Sequence, residues 1–168
     1  QSVILEATLA NGLKGRAISD NAMTTENGWY IDLGWIEGSG AIGAKGERVV
    51  AKATLRSDRV IFTTITPSSD PCAFGGESFI MAMSLSSGSR LNYVYFDTSG
   101  DSVFDNNDTT LIGGKDVPWT GISDVKDGVV KGVTPLYKWL CFAGSSGSTP
   151  KCIPVSGSQR FGRHSWRE

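Results

Sequence analysis

The sequence predicts an all-β protein of short antiparallel strands, and three observations support this prediction. Runs rich in β-branched and aromatic residues recur along the chain, separated by turn pairs such as Asn11-Gly12 and Asp127-Gly128. Glycine accounts for 21 of the 168 residues and is spread throughout, which favours tight turns. No stretch has the apolar spacing of an amphipathic helix. The length suits one domain with a usable core.

Local composition predicts the elements of the first quarter of the chain. Val3 to Leu9 and Arg16 to Ser19 flank a turn and predict a hairpin. The aromatic run from Gly28 to Leu33 predicts a further strand. The glycine-rich stretch from Gly34 to Gly46 predicts a surface loop, in which Trp35 is expected to cover the core.

Four consecutive antiparallel strands of similar length are predicted between Val49 and Phe96. The segments Glu47 to Leu55 and Arg59 to Thr66 form a hairpin, and the run VIFTTI suits a strand buried on both faces. Ser78 to Leu85 and Leu91 to Phe96 follow as the third and fourth strands. Four such strands have the size of one β-propeller blade, and a separate meander is the alternative. Less regular strands are predicted after residue 119.

The most distinctive motif is the run DTSGDSVFDNND, which begins where the fourth strand ends. It has the oxygen pattern of an EF-hand-like calcium loop, with candidate ligands at positions 1, 3, 5, 7, 9 and 12. Ser102 stands at position 6, where such loops prefer glycine, so the backbone there must accept strain. The alternative is an acidic, solvated turn. The candidate ligands are Asp97, Ser99, Asp101, the Val103 carbonyl, Asp105 and Asp108.

Charge and composition exclude several classes of function. A net charge of −1 and a pI of 5.9 argue against a general surface for nucleic acids or anionic membranes. No apolar run is long enough to span a bilayer, and no signal peptide is recognisable. The chain begins with QSVILEA, inside a folded-looking segment, so we expect a piece of a longer protein.

Cys141 and Cys152 flank a loop rich in glycine and serine, and we expect a disulfide between them. Such a bond indicates an oxidising compartment, and two reduced thiols on neighbouring strands are the alternative. Cys72 is left over. It is expected to be buried and free, or paired with a cysteine outside this sequence.

Several strings resemble the C-terminal region of the PilC/PilY family, the tip-associated adhesins of bacterial type IV pili. They are GWYIDL, GERVV, RVIFTT, PSSDPCAFGG, FDTSGDSVFD and the ending GRHSWRE. The similarity runs from about Gly28 to Glu168, and the stretch from Gly46 to Asp108 and the ending are its specific parts. The cysteine hairpin is a departure from the family pattern.

The resemblance implies a partial or modified β-propeller with blade-like four-stranded sheets. Residues 1–168 would form a single domain, the C-terminal part of a longer adhesin that is secreted through the periplasm to the pilus tip. Minor pilins and a host or abiotic surface receptor are the implied partners. The family's calcium loop carries over onto residues 97–108, with calcium linked to pilus extension and retraction.

Two rival functions remain open, a β-scaffold hydrolase and a calcium-dependent carbohydrate-binding module. The sequence supplies little for catalysis: His164 is the only histidine, and neither a nucleophile elbow nor a zinc-ligand spacing occurs. Glu47, Glu77 and Asp32 are candidate paired carboxylates, with solvated or ion-paired acids as the alternative. We therefore expect a non-enzymatic protein. Candidate contact aromatics, for which core packing is the alternative, are Trp35, Trp119 and Trp139.

Overall fold

The computed structural model of the chain describes residues 3–20, 23, 27–33, 35–37, 41–43, 46–70, 72 and 75–157. Its regular elements are strands and two 3-10 helices, Asn106–Asp108 and Val125–Asp127, so the all-β prediction is confirmed. None of these helices has the length and hydropathy of a membrane-spanning segment. The strands are β1 (Val3–Thr8), β2 (Lys14–Ile18), β3 (Trp35–Glu37), β4 (Ala41–Gly43), β5 (Thr54–Arg56), β6 (Arg59–Thr63), β7 (Thr66–Pro67), β8 (Gly76–Glu77), β9 (Ile80–Ser84), β10 (Thr109–Ile112), β11 (Lys115–Pro118), β12 (Gly121–Ser123), β13 (Val130–Leu136), β14 (Trp139–Gly144) and β15 (Lys151–Pro154).

Two antiparallel sheets organise the described residues. The larger sheet has six strands in the order β1-β2-β12-β9-β6-β5. The smaller sheet consists of β13, β14 and β15 in sequence order. A hydrogen bond of 3.2 Å from the Thr63 hydroxyl to the Lys131 carbonyl joins β6 to β13. Three two-stranded hairpins, β3-β4, β7-β8 and β10-β11, complete the strand pairing.

The central strands of the larger sheet are buried on both faces. Alternate side chains point to opposite faces of a strand, so Ile61 of β6 enters one core cluster while Val60 and Phe62 enter another. Every residue of β6 is buried, as the run VIFTTI predicts. The cluster that holds Ile61 also contains Leu140 and Val155 from the region of the smaller sheet, and therefore links the two sheets.

The prediction of four consecutive strands of similar length is wrong at its first and last members. Of the segment Glu47 to Leu55, only Thr54 and Leu55 belong to strand β5. Strands β5, β6 and β9 pair in sequence order, but Leu91 to Phe96 forms no strand beside β9. Strand β12 occupies that edge of β9 instead. Because β6 and β12 already pair with its two edges, β9 has no hydrogen-bonding edge left. Phe96 makes only an isolated bridge with Val155.

Two further expectations near the N-terminal hairpin need correction. The hairpin itself forms as β1 and β2, but Gly28 to Leu33 forms no extended strand. Its side chains Trp29 and Ile31 pack on the core instead, and the Trp29 Nε1 donates a 3.0 Å hydrogen bond to the Leu85 carbonyl. The stretch predicted as a loop, from Gly34 to Gly46, contains the paired strands β3 and β4.

Candidate metal centre

The candidate calcium loop, residues 97–108, is anchored to the fold at its beginning. The preceding residue, Phe96, bridges to Val155 and is buried in the core that links the sheets. The Asn11 side-chain amide donates a 2.7 Å hydrogen bond to the Thr98 carbonyl, which ties the loop to the β1-β2 turn. The loop ends in the short 3-10 helix that precedes β10. Its position is therefore set by contacts with residues far away in sequence.

Asp108, at position 12 of the loop, folds back onto the residues that begin it. Its Oδ1 accepts hydrogen bonds from the Thr98 amide at 2.6 Å, the Thr98 hydroxyl at 3.1 Å and the Ser99 amide at 2.7 Å. Its Oδ2 accepts from the Asp105 amide at 3.4 Å, within a reciprocal cap of the 3-10 helix. The side chain is fully buried. Thr98 is not among the predicted site residues, because position 2 of such a loop supplies no ligand.

The other loop aspartates fold the chain through hydrogen bonds to backbone amides. Asp97 Oδ1 accepts from the Gly100 amide at 2.7 Å, and its Oδ2 accepts from the Ser102 amide at 2.9 Å. Asp101 Oδ1 accepts from the Val103 amide at 2.8 Å. Such turns are typical of aspartate and wind the loop tightly.

Two residues in this tightly wound part of the loop have left-handed backbone conformations. Gly100 has a φ of 83° and Ser102 a φ of 63°. The strain expected at position 6 is therefore present, since a non-glycine residue rarely adopts such a φ. The Asp97 carboxylate holds the Ser102 amide in this conformation.

The loop places its predicted donors on one short segment but does not gather them around a centre. In the part of the chain that the structure describes, which includes all of residues 97–108, no three acidic, histidine or cysteine side chains are close enough to hold a metal ion. Asp101 and Asp105 are exposed, and Asp97 is half-buried. The donors are all oxygens, as calcium requires, and exposed carboxylates can turn toward an ion. The donor atoms and their spacing along the loop suit calcium, but the structure does not bring these atoms together.

The predicted disulfide is present in the structure. Cys141 of β14 and Cys152 of β15 are directly opposite each other in the strand register and are joined by an S–S bond. Cys72 is exposed and outside this bond, so the expectation that it is buried is wrong.

The other candidate residues have ordinary structural surroundings. Glu47 pairs with Arg16 at 2.6 Å and Glu77 with Lys14 at 2.7 Å, so each carboxylate is held by a different cation. Trp119 is buried and packs in the core, whereas Trp139 is 48% exposed. The side chain of Trp35 and the whole segment 158–168, with His164, lie outside the described residues.

Comparisons with known proteins assign the chain to a family. No family model matches it. The crystal structure of the Pseudomonas aeruginosa PilY1 C-terminal domain has a TM-score of 0.66 with this chain at 20% identity, covering 93% of the chain and 31% of the PilY1 domain. The "Type IV pilus biogenesis factor PilY1 homolog" of Xylella fastidiosa is 30% identical over 174 residues, which include 100% of this chain. The chain belongs to the PilY1 family and matches its C-terminal region.

Two PilY1 relatives from Pseudomonas aeruginosa, strains PAO1 and PAK, are each 26% identical over 153 residues and cover 89% of the chain. The chain spans 13% of the Xylella PilY1 homologue and 12% of the Pseudomonas PilY1 proteins. The PilC/PilY resemblance seen in the sequence is thereby confirmed, for a region that is a small part of the full-length PilY1 relatives.

Proposed function

We propose that this chain is a non-enzymatic, calcium-binding part of a type IV pilus biogenesis factor that acts in pilus extension and retraction and in surface attachment. The observation that carries the proposal is the 30% identity to a PilY1 homologue across the whole chain. In this proposal the protein acts outside the cell, at the pilus tip, after passage through the periplasm. Minor pilins and a host or abiotic surface receptor are its partners. Its sheets form part of a modified β-propeller in the longer protein.

Calcium binding is proposed for residues 97–108 on the basis of their donor set. Calcium takes six to eight oxygen ligands, and this loop offers four carboxylates, the Ser99 hydroxyl and the Val103 carbonyl. Several carboxylates on one short loop repel each other, and a divalent cation offsets this repulsion. Asp108 keeps the loop closed through the amides of its second and third residues, while Asp101 and Asp105 lie at the solvent-exposed side where an ion enters.

The cysteine pair supports passage through an oxidising compartment. Structural disulfides persist in the bacterial periplasm and on cell surfaces and are rare in the cytosol. Cys141 and Cys152 are paired in the structure and close a short hairpin of the smaller sheet.

Calcium titration by calorimetry on chelator-stripped protein tests the proposed calcium binding. We expect one site with micromolar to millimolar affinity, the range of calcium sensors and extracellular calcium modules. Asp101→Ala should abolish the heat of binding. Asp116→Ala, at an exposed aspartate of β11, is the matched control and should bind as the unmodified protein does. Absence of binding heat together with an unchanged melting temperature would refute calcium binding.

The proposed role in pilus biogenesis is tested in cells that carry the full-length protein. Deletion of its gene should remove surface pili in electron micrographs and abolish twitching motility. Complementation with the unmodified gene should restore both. Asp101→Ala should restore assembly only in part if calcium controls extension and retraction. Normal piliation of the deletion strain would contradict the biogenesis role whatever the calorimetry shows.

A further inference from the structure

A groove lined by polar and aromatic side chains lies beside the turn between β5 and β6. It has a volume of 680 Å³ and is lined by Asp58, Arg59, Tyr93 and, from the 97–108 loop, Phe104. A second groove of 590 Å³ shares Ser57 and Asp58 with the first and continues along the turn that follows β9. Volumes of 300–1,000 Å³ are typical of sites for small ligands. The two grooves together suit an elongated ligand.

The polar side chains of the first groove are held in place by one another. Arg59 is buried, and its guanidinium binds Asp58 Oδ1 at 3.0 Å and the Ser156 carbonyl at 3.0 Å. The Tyr93 hydroxyl donates to the Asp58 carboxylate, at 3.2 Å to Oδ1 and 3.1 Å to Oδ2. The Arg59 guanidinium also lies 5.4 Å from the centre of the Tyr93 ring. Burial raises the pKa of Tyr93 well above its ordinary value, so the phenol stays neutral.

The charges that line the two grooves are already paired within the protein. Asp58 pairs with Arg59 at 3.0 Å, and Asp20 pairs with Arg90 at 2.7 Å in the second groove. Two aspartates and two arginines leave no net charge. A lining of one sign of charge is what attracts a charged ligand, so this lining selects neither an anion nor a cation. The ligand that fits it is neutral.

Two backbone amides beside the second groove are also engaged internally. The Leu85 amide donates to the Asp58 carbonyl at 2.8 Å, and the Ser84 amide donates to the Ser89 carbonyl at 2.9 Å. A peptide that adds a strand needs unpaired backbone groups on a sheet edge. Side chains that line the grooves and can meet a ligand include the half-exposed Asp58 carboxylate, the exposed Asn92 amide and the rings of Tyr93 and Phe104.

We propose that the joined grooves bind a neutral oligosaccharide. Sugar hydroxyls would donate to the Asp58 carboxylate and exchange hydrogen bonds with the Asn92 amide, while the apolar face of a pyranose packs on Tyr93 and Phe104. A hydrogen bond to a charged acceptor is stronger than one between neutral groups, and Arg59 and Tyr93 hold this acceptor in position. This proposal goes beyond the pilus function and needs no calcium in contact with the sugar.

A glycan array tests the ligand class. The chain is displayed on streptavidin as a tetramer so that weak binding is detected through avidity. The array carries neutral, sialylated and sulfated oligosaccharides, and it is read once in chelator and once in excess calcium. We expect neutral glycans to be bound in both conditions. The absence of binding to any glycan on the array, or binding confined to acidic glycans, would overturn the proposal. Glycan binding without any calcium heat would leave it standing while refuting the metal site.

Variants and a direct mapping experiment locate the bound glycan. The affinity of each variant is measured for the neutral glycan that the unmodified chain binds most tightly. Tyr93→Ala and Asp58→Asn should each weaken this binding at least tenfold. Tyr30→Ala removes an exposed aromatic ring that lines neither groove, and should change nothing. Should a groove variant fail to fold, amide chemical shifts of the unmodified chain decide: perturbations confined to Asp58, Asn92, Tyr93 and Phe104 support the site, and perturbations elsewhere contradict it.

Discussion

The Asp108 carboxylate lies 2.6 Å from the Thr98 amide, so the last residue of the loop holds its second residue in place. The carboxylate is fully buried, and its Oδ1 accepts from the Thr98 hydroxyl and the Ser99 amide as well. Burial of a charged group is costly unless hydrogen bonds satisfy it, and here the loop itself supplies them. Asp108 therefore has a structural role in the loop whether or not an ion is bound.

The first prediction separates this structural role from ion binding. Asp108→Ala leaves buried donors without an acceptor and should lower the free energy of unfolding by about 1–3 kcal/mol in chelator. Asp101→Ala removes one exposed hydrogen bond and should change it by less than about 0.5 kcal/mol. Asp108→Asn keeps an oxygen acceptor and should recover part of the loss. Urea unfolding followed by circular dichroism measures all three, and equal values for Asp108→Ala and Asp101→Ala would contradict the prediction.

The second prediction concerns the bond between Cys141 and Cys152. These residues are 11 apart in sequence, and closing a loop of that size restricts the unfolded chain. Replacing both cysteines by alanine should cost about 2–3 kcal/mol of stability. The matched control is Cys72→Ala, at the exposed cysteine outside the bond, and it should have little effect. Unfolding in denaturant with and without reductant gives the difference. A digest of unreduced protein in which both residues are free thiols would refute the bond.

The third prediction concerns an ion cluster at the edge of the smaller sheet. The Lys151 ammonium lies 2.6 Å from Asp127 and 3.1 Å from Asp124. The hydrogen bond to Asp127 raises the pKa of Lys151, against partial desolvation. Burial alone would raise the pKa of Asp124, but hydrogen bonds from the Lys126 amide and from Lys151 outweigh it and lower that pKa.

The pH dependence follows from these directions. Asp124 contributes stability that is full above its ordinary pKa of 3.8 and is lost as the pH falls through the lower pKa of the folded state. Lys151 contributes stability that is full below its ordinary pKa of 10.5 and is lost as the pH rises through the higher folded value. Lys151→Met should therefore cost up to about 1 kcal/mol at both pH 6 and pH 8, as a partly exposed pair does.

This cost should shrink below pH 4 and again above pH 11, and urea unfolding of the variant and the unmodified protein across this range measures it. Lys115→Met is the matched control, since Lys115 is an exposed lysine of β11. Its effect should be small and independent of pH. A cost for Lys151→Met that is the same at pH 3 and pH 7 would contradict the role of the Asp124 carboxylate.

Local features of the chain were predictable because their determinants lie close together in sequence. The β1-β2 and β5-β6 hairpins are each joined by a short turn, and the unbroken burial of β6 is contained in five consecutive residues. The candidate calcium ligands all lie within residues 97–108. The hydrogen bonds that Asp108 accepts from Thr98 were not predictable, since a backbone amide donates in the same way whatever residue carries it.

The sequence by itself determined the all-β class, the turns that divide the strands, the cysteine pair and the oxygen-rich loop, because short-range sterics and residue chemistry specify each of them. Only the tertiary structure decided that β12 lies between β2 and β9, and that Asp58 meets Tyr93 across 35 residues. The physical reason is that strand edges present the same amide and carbonyl groups whatever their side chains are. Which edges pair, and which side chains then share a groove, depends on how the whole chain packs its core.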